Sequence, residues 1–320
     1  MAATVSGSRN NTPVDTPAAT TVPKILLFGK GGQVGWELQR SLAPLGDLIA
    51  VDFDSKDLCG DFTNPAGLAE TVRRVKPNII VNAAAHTAVD KAESEPDLAR
   101  TINALAPEVL AKEAHKLNAW MVHYSTDYVF DGSGEKAWLE TDTAAPLNVY
   151  GQTKWEGEQA VANNCAKHLI FRTSWVYAAR GNNFAKTMLR LAKERDSLSV
   201  INDQIGAPTG AELLADVTAL ALRQIQQSNG GDLTGLYHLV AGGHTSWHGF
   251  ASFVIEHALK AGVSIQVQSN AIKKIATSEY TTPAKRPLNS RLNTDKVQTA
   301  FNITLPPWQV GVERMLTEIL

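Results

Sequence analysis

The chain has little of what marks several protein classes. Its two cysteines, Cys59 and Cys165, are too few for a disulfide framework and show no metal-ligand spacing. Unpaired thiols in a reducing compartment are the simplest reading. No apolar run approaches the roughly 20 residues needed to span a bilayer, so no membrane anchor is expected. Neither charge dominates: 30 Lys and Arg face 32 Asp and Glu, a net charge of -2. That balance gives no reason to expect nucleic acid or an anionic membrane as a partner. Anionic small molecules remain open, because a pocket needs only a few local cations. Residues 1–23 lack both apolar periodicity and the apolar segment of a signal peptide, and read as a flexible extension. A cytoplasmic setting is the expectation. No internal repeat is present.

What is there reads as a globular protein, with 44% hydrophobic and 19% charged residues. From Lys24 onward, short apolar runs alternate with helix-like segments. Strand candidates are KILLF (24–28), LIAVDF (48–53), NIIVNAAA (78–85), WMVHYST (120–126) and HLIFRTSWVY (168–177). Helix candidates between them are Trp36–Leu45, Leu68–Val75, Asp97–Leu117 and Val149–Asn163. Continuous apolar strands separated by helices imply a parallel sheet covered on both faces. The right-handed crossover rule then gives an α/β, Rossmann-like doubly wound sheet. Later helices are expected at Asn183–Glu194, Ala211–Gln226, Phe250–Leu259 and Gly311–Leu320, with a strand at LYHLV (236–240). The expected division is a nucleotide-binding domain over 24–177 and a smaller C-terminal substrate-binding lobe over 178–320. Residues of about 198–245 are expected to return to the first domain.

Gly29-Lys-Gly-Gly32-Gln-Val-Gly35 follows the first strand and opens a helix. Such a turn lets backbone approach a pyrophosphate, whose charge meets the N–H groups of a helix N-terminus. Asp52, at the end of the second strand, is placed to hold an adenosine ribose hydroxyl. Alone it favours NAD over NADP by repelling a 2′-phosphate. Lys30 and Lys56 offset that repulsion, which leaves NADPH and NADH both open.

The chemistry-bearing pattern is Ser125-Thr126-Asp127-Tyr128, then Tyr150-Gly-Gln-Thr-Lys154. On a helix, Tyr150 and Lys154 lie one turn apart on one face. A phenol with a pKa of about 10 is a sluggish acid or base at neutral pH, and a neighbouring ammonium is expected to lower it. Thr126 is expected to hold a substrate oxygen in line. A Tyr-x-x-x-Lys spacing is weak by itself, but here it falls beyond the fourth strand, where a parallel sheet presents its ligands. Other candidates keep two readings. His86 fits the cleft or a satisfied loop position. Asp127 and Asp131 fit sugar hydroxyls or turn caps, and Trp175 and Tyr177 fit ring stacking or core packing. Arg286 and Arg291 offer forked donors for a diphosphate, or a solvated basic loop.

Several segments carry a broader likeness: LLFGKGGQVGWELQ (26–39), CGDF (59–62), VNAAAHTAVDKAESE (81–95), HYSTDYVFDG (123–132), PLNVYGQTKWEGE (146–158), FRTSWVY (171–177), INDQIGAPTGAELLAD (201–216) and RPLNSRLNT (286–294). From about Lys24 to the C-terminus the chain resembles the extended short-chain dehydrogenases/reductases. Within them it looks like the dTDP-4-dehydrorhamnose reductases. The resemblance implies reduction of the C4 ketone of dTDP-4-dehydro-β-L-rhamnose by NADPH or NADH, with Thr126, Tyr150 and Lys154 catalytic. It implies cofactor contacts at Gly32, Gln33, Val34, Asp52, Asp61, Phe62, Ala85, His86, Thr87 and Tyr124, and substrate contacts at Thr126, Asp127 and Trp175. Some members form dimers around Mg²⁺ held by glutamates, and Glu37 and Glu212 match such positions. Gln309, a neutral amide where an acidic residue is expected, is a poorer ligand for a hard cation.

Two other functions fit parts of the pattern. A nucleotide-sugar epimerase or dehydratase on the same fold would recycle a tightly held NAD instead of consuming it. A non-catalytic regulatory subunit would not need the intact Thr126, Tyr150 and Lys154 set.

Overall fold

A computed structural model describes residues 22–228 and 233–320; residues 1–21, most of the expected N-terminal extension, lie outside the described residues. Strand β1 (Lys24–Phe28) is apolar on both faces because it is covered on both. Its Ile25 and Leu27 pack with helix α1 (Gln33–Leu42) and the helix Ala211–Ser228. Leu26 and Phe28 pack on the other side, with helix α2 (Pro65–Val75) and the helices Ala106–Lys116 and Val149–Asn164. Burial of these aliphatic side chains is the main stabilising term, at about 1.5–3 kcal/mol each.

The central sheet adds β2 (Asp47–Val51), β3 (Ile79–Asn82), β4 (Trp120–Thr126), β5 (His168–Thr173) and the strand Gly235–His238. Its order is Gly235–His238, β5, β4, β3, β1, β2, and every pairing is parallel. The chain leaves β1 toward β2 on one side, then crosses to β3 on the other. The reversal between β1 and β3 is a topological switch point, where ligands bind beyond the carboxyl ends of the strands.

The structure differs from the sequence reading in three places. The fifth strand ends at Thr173, because Trp175 takes a left-handed backbone (φ 49°) and the chain resumes as a short strand, Val176–Tyr177. The long helix expected over 97–117 is interrupted by a π-turn at Thr101–Leu105. The two-stranded pairing of Leu198–Ile201 with Ile272–Ile275 was not anticipated. Its Leu198, Val200 and Ile272 pack with Met188, Ala192, Ala251, Ile255 and Val267, beside a second cluster that includes Leu189, Phe250, Val254, Trp308 and Val312.

Side-chain caps set the helix starts that matter here. Asn148 accepts from Gly151 N–H at 2.8 Å, and Ser246 from Gly249 N–H at 3.0 Å. The first fixes the turn that carries Tyr150.

Candidate active site

A cleft of about 750 Å³ crosses the carboxyl edge of the sheet. Its lining follows strand order: Asp52 and Phe53 beyond β2, Gly29 beyond β1, Ala83–Ala85 beyond β3, Thr126 at the end of β4, and Thr173–Val176 beyond β5. Gly32, Gln33, Val34, Asp61, Phe62, Thr87, Tyr124, Asp127, Tyr150, Lys154 and Trp175 also line it. Gly35, His86, Arg286, Glu37 and Glu212 are absent from that lining.

The glycine loop is built for close approach. Gly29 has φ +81°, and a β-carbon there would lie 2.7 Å from Ala84 N. One on Gly35 would lie 1.9 Å from Gly29 O, so Gly35 lets α1 press against the loop from behind instead of touching a ligand. Helix α1 has no side-chain cap at Gly32, leaving its first N–H groups for an anion. The Asp52 carboxylate holds this loop, accepting from Gly31 N–H at 2.7 Å and from Phe53 N–H at 2.9 Å.

At the centre, Thr126 donates to Asp127 Oδ1 at 3.0 Å and accepts from Tyr128 N–H at 3.2 Å. Lys154 is buried and donates to the Tyr124 carbonyl at 2.5 Å. Desolvation lowers its pKa to about 8, an effect that Glu158 on the next turn partly offsets. Tyr150 departs from expectation. Burial pushes its phenol up to about 12, with Thr126 pulling down and Asp127 pushing further up. The expected lowering by Lys154 is not found; burial, which disfavours the phenolate, dominates. Asp127 is also raised, to about 6, chiefly by desolvation. The Ser290 hydroxyl lies near enough to hold the Asp127 pKa down, yet Oδ2 has no partner of good hydrogen-bond geometry, and Ser125 Oγ is likewise buried without one. Both point to hydrogen-bonding capacity held in reserve for a ligand.

The remaining candidates separate. The His86 ring sits 3.8 Å from Glu95, while its backbone N–H and carbonyl are both bound by Asn103 (2.8 and 3.1 Å). Asn103 lies in the π-turn and also donates to Thr153 on the Tyr150 helix at 3.1 Å, tying the β3 loop to that helix. Arg286 forms a two-pronged ion pair with Asp90 at 3.1 and 2.7 Å. Arg291 bonds Asn289, Asp131 caps Ser133 N–H, and Tyr177 is core. Glu37 lies 3.5 Å from Arg40 and Glu212 3.4 Å from Arg314. Among the described residues no three His, Cys, Asp or Glu side chains are grouped to hold a metal ion. These guanidinium-paired carboxylates do not by themselves fit Mg²⁺. It is Glu318, 3.4 Å from Arg314, rather than Gln309 that adds a carboxylate near Glu212.

Sequence reading missed Phe53, Trp247, Asn103 and the Glu158–Arg172 pair. The first two line the cleft; Trp247 arrives from the C-terminal lobe, and no local pattern points to it. Glu158 sits four residues after Lys154, the one spacing that signals it.

Fold and constellation together define a class: a doubly wound α/β protein with the threonine, tyrosine and lysine arrangement of the extended short-chain dehydrogenases/reductases. Residues 23–320 match the family model described as "RmlD substrate binding domain", and the chain belongs to that family. It is 65% identical to a dTDP-4-dehydrorhamnose reductase of Escherichia coli strain K12, over 92% of this chain and 97% of that protein. It superposes on the crystal structure of a Clostridium acetobutylicum dTDP-4-dehydrorhamnose reductase with TM-score 0.82 and 36% identity, covering 92% of this chain and 99% of that one. A Bacillus anthracis dTDP-4-dehydrorhamnose reductase solved in complex with NADP matches with TM-score 0.81 and 34% identity, covering 93% and 100%.

Proposed function

We infer that the chain is an NADPH-dependent dTDP-4-dehydrorhamnose reductase, which reduces the C4 ketone of dTDP-4-dehydro-β-L-rhamnose to the carbinol of dTDP-L-rhamnose. The observation that carries this is the convergence of Thr126, Tyr150 and Lys154 at the middle of the cleft, in a chain so similar to reductases of that substrate. A reduced nicotinamide supplies the hydride when bound. Gly29, Gly32, Gln33 and Val34 would hold its pyrophosphate at the start of α1, and Asp52 and Phe53 would border its adenosine. NADH is the alternative reductant, because the Asp52 carboxylate is already engaged by the loop and bars neither nucleotide by itself.

In this reading the protein's own work is proton delivery and orientation. Tyr150, kept protonated by burial, donates its phenolic proton to the carbinol oxygen as charge develops there. Thr126 aligns that oxygen, and the Lys154 ammonium stabilises the phenolate left behind. Asp127 accepts from Thr126 and offers its unpartnered oxygen to a sugar hydroxyl. Residues 24–177, with the strand Gly235–His238 and the helix Ala211–Ser228, serve as the nucleotide-binding domain. The rest of 178–320 serves mainly as the substrate-binding lobe. Arg286, paired with Asp90 through Nη1 and Nη2, would meet a diphosphate with its remaining donors or by leaving Asp90. Glu37 and Glu212 belong to a surface available for self-association.

The direct test is to incubate the chain with the 4-keto nucleotide and either NADPH or NADH. The expected result is a sugar nucleotide heavier by two hydrogens. No conversion with either reductant sinks the reading.

A further inference from the structure

The chain that leaves the fifth strand comes back to touch the cofactor loop. After the short strand Val176–Tyr177 it runs through residues 178–183 into the helix Phe184–Glu194. That helix packs with the later half of the chain, its Phe184 ring lying 4.5 Å from Trp247 and 5.4 Å from Phe250. Its approach nevertheless lies against the opening of α1. The Arg180 guanidinium sits over the Trp36 ring, 4.0 Å from its centroid. Gly181 has φ +74°, and a β-carbon there would lie 3.4 Å from Gln33 Cγ. Asn183 Nδ2 donates to Gln33 Oε1 at 3.1 Å. Gln33 and Trp36, three residues apart on α1, present one face to this segment.

The hydrogen bonds leave the Asn183 amide one orientation. Its Oδ1 accepts from Lys186 N–H at 3.1 Å, capping the helix Phe184–Glu194, a place that only an acceptor fills. Its nitrogen carries two hydrogens, one donated to the Ala178 carbonyl at 2.7 Å and the other to Gln33. A donor facing Gln33 requires an acceptor there. Gln33 therefore presents its oxygen to Asn183 and keeps its Nε2 hydrogens for another partner. No protein group among the described residues takes them. Gln33 lines the cleft in the first turn of α1, where uncapped N–H groups already favour an anion. Reversed, the same amide would set a carbonyl oxygen against that anion.

We propose that Asn183 is a positioning residue for the cofactor subsite: by claiming Gln33 Oε1 it turns the Gln33 amide nitrogen into a donor for the pyrophosphate of the dinucleotide. Cofactor affinity then depends on a residue 150 positions from the glycine loop, in the part of the chain given above to the substrate lobe. This deepens the reading above and rests on it only for the dinucleotide.

The test measures Kd for NADPH by fluorescence titration, with KM for the 4-keto sugar nucleotide and thermal melting alongside. Asn183→Ser keeps a cap for Lys186 N–H but is too short for Gln33, and should raise Kd by about fivefold. Asn183→Asp keeps the cap and the size but makes Gln33 turn its nitrogen inward. It should raise Kd by about twentyfold with Tm little changed. At saturating NADPH, KM for the sugar nucleotide should move by less than about twofold in both variants. Gln33→Met removes the amide and keeps the stem, and in that background either Asn183 change should add less than about twofold to Kd. A Kd unchanged in either single variant makes Asn183 a helix cap only and overturns the proposal. Full persistence of the losses in the Gln33→Met background overturns it as well, by assigning them to the Ala178 bond or to charge. Wild type that binds NADPH without reducing the 4-keto sugar nucleotide defeats the reductase reading alone. Wild type that binds neither NADPH nor NADH defeats both.

Discussion

Burial favours the neutral form of both Tyr150 and Lys154. With its pKa at about 12, the Tyr150 phenol remains a proton donor across the working range. Tyr150→Phe should therefore cut ketone reduction by about 10²–10⁴-fold while leaving NADPH affinity nearly intact, as steady-state kinetics and fluorescence titration would register. The alkaline limb of the free enzyme's kcat/KM profile should belong to Lys154 instead. Its pKa is lowered from 10.5 to about 8, so the ammonium is lost as pH rises through 8 and activity falls with it. The same shift makes this site's contribution to stability rise between pH 8 and 10.5, where the unfolded chain binds the extra proton. Lys154→Met should abolish the limb and weaken nucleotide binding. A limb that persists near pH 8 in that variant would assign it to another group.

Among the elements, the strand–loop–helix unit from Lys24 to Leu42 was the most legible in sequence, because its determinants are local. An apolar run, glycines at the turn and an uncapped helix start suffice. Gly35 shows where the sequence reading stopped short: spacing marked it as a nucleotide contact, whereas the structure uses it to seat α1 against Gly29 O. Gly35→Ala should still weaken NADPH binding by about tenfold or more, through displacement of the loop, and should destabilise the fold by about 1–3 kcal/mol. Calorimetric titration and thermal melting measure the two effects separately. The break at Trp175 was illegible because HLIFRTSWVY holds no glycine, proline or asparagine to mark a left-handed residue. The π-turn at Thr101–Leu105 was hidden for a similar reason, its residues continuing a helical pattern. The Trp247 contribution and the pairing of Leu198–Ile201 with Ile272–Ile275 depend on contacts distant in sequence, which no window of residues contains.

At the scale of the whole molecule, a buried ion pair joins the sheet to the helix that carries Tyr150 and Lys154. Arg172 on β5 donates to both oxygens of Glu158 at 2.8 and 2.6 Å, and both side chains are almost fully buried. Removing one partner leaves the other charge unpaired, so Glu158→Gln should destabilise the protein by about 3–5 kcal/mol. A paired apolar replacement of Glu158 and Arg172 should cost less than the single change. Denaturant titration of the three variants distinguishes a structural clamp from two independent surface charges. The parallel sheet sets the order of groups along the cleft, with Asp52 and Phe53 beyond β2, Tyr150 on the helix that follows β4, and Trp175 beyond β5. A recycled cofactor would use the same order and return its hydride to the sugar, so net consumption of the reduced nicotinamide separates reduction from recycling. The central claim is thus net reduction, and its most direct measurement is the ratio of reduced nicotinamide oxidised to 4-keto sugar nucleotide converted. The account predicts a ratio of one (about 1:1). Conversion of the sugar nucleotide with no net consumption of the reduced nicotinamide would contradict it.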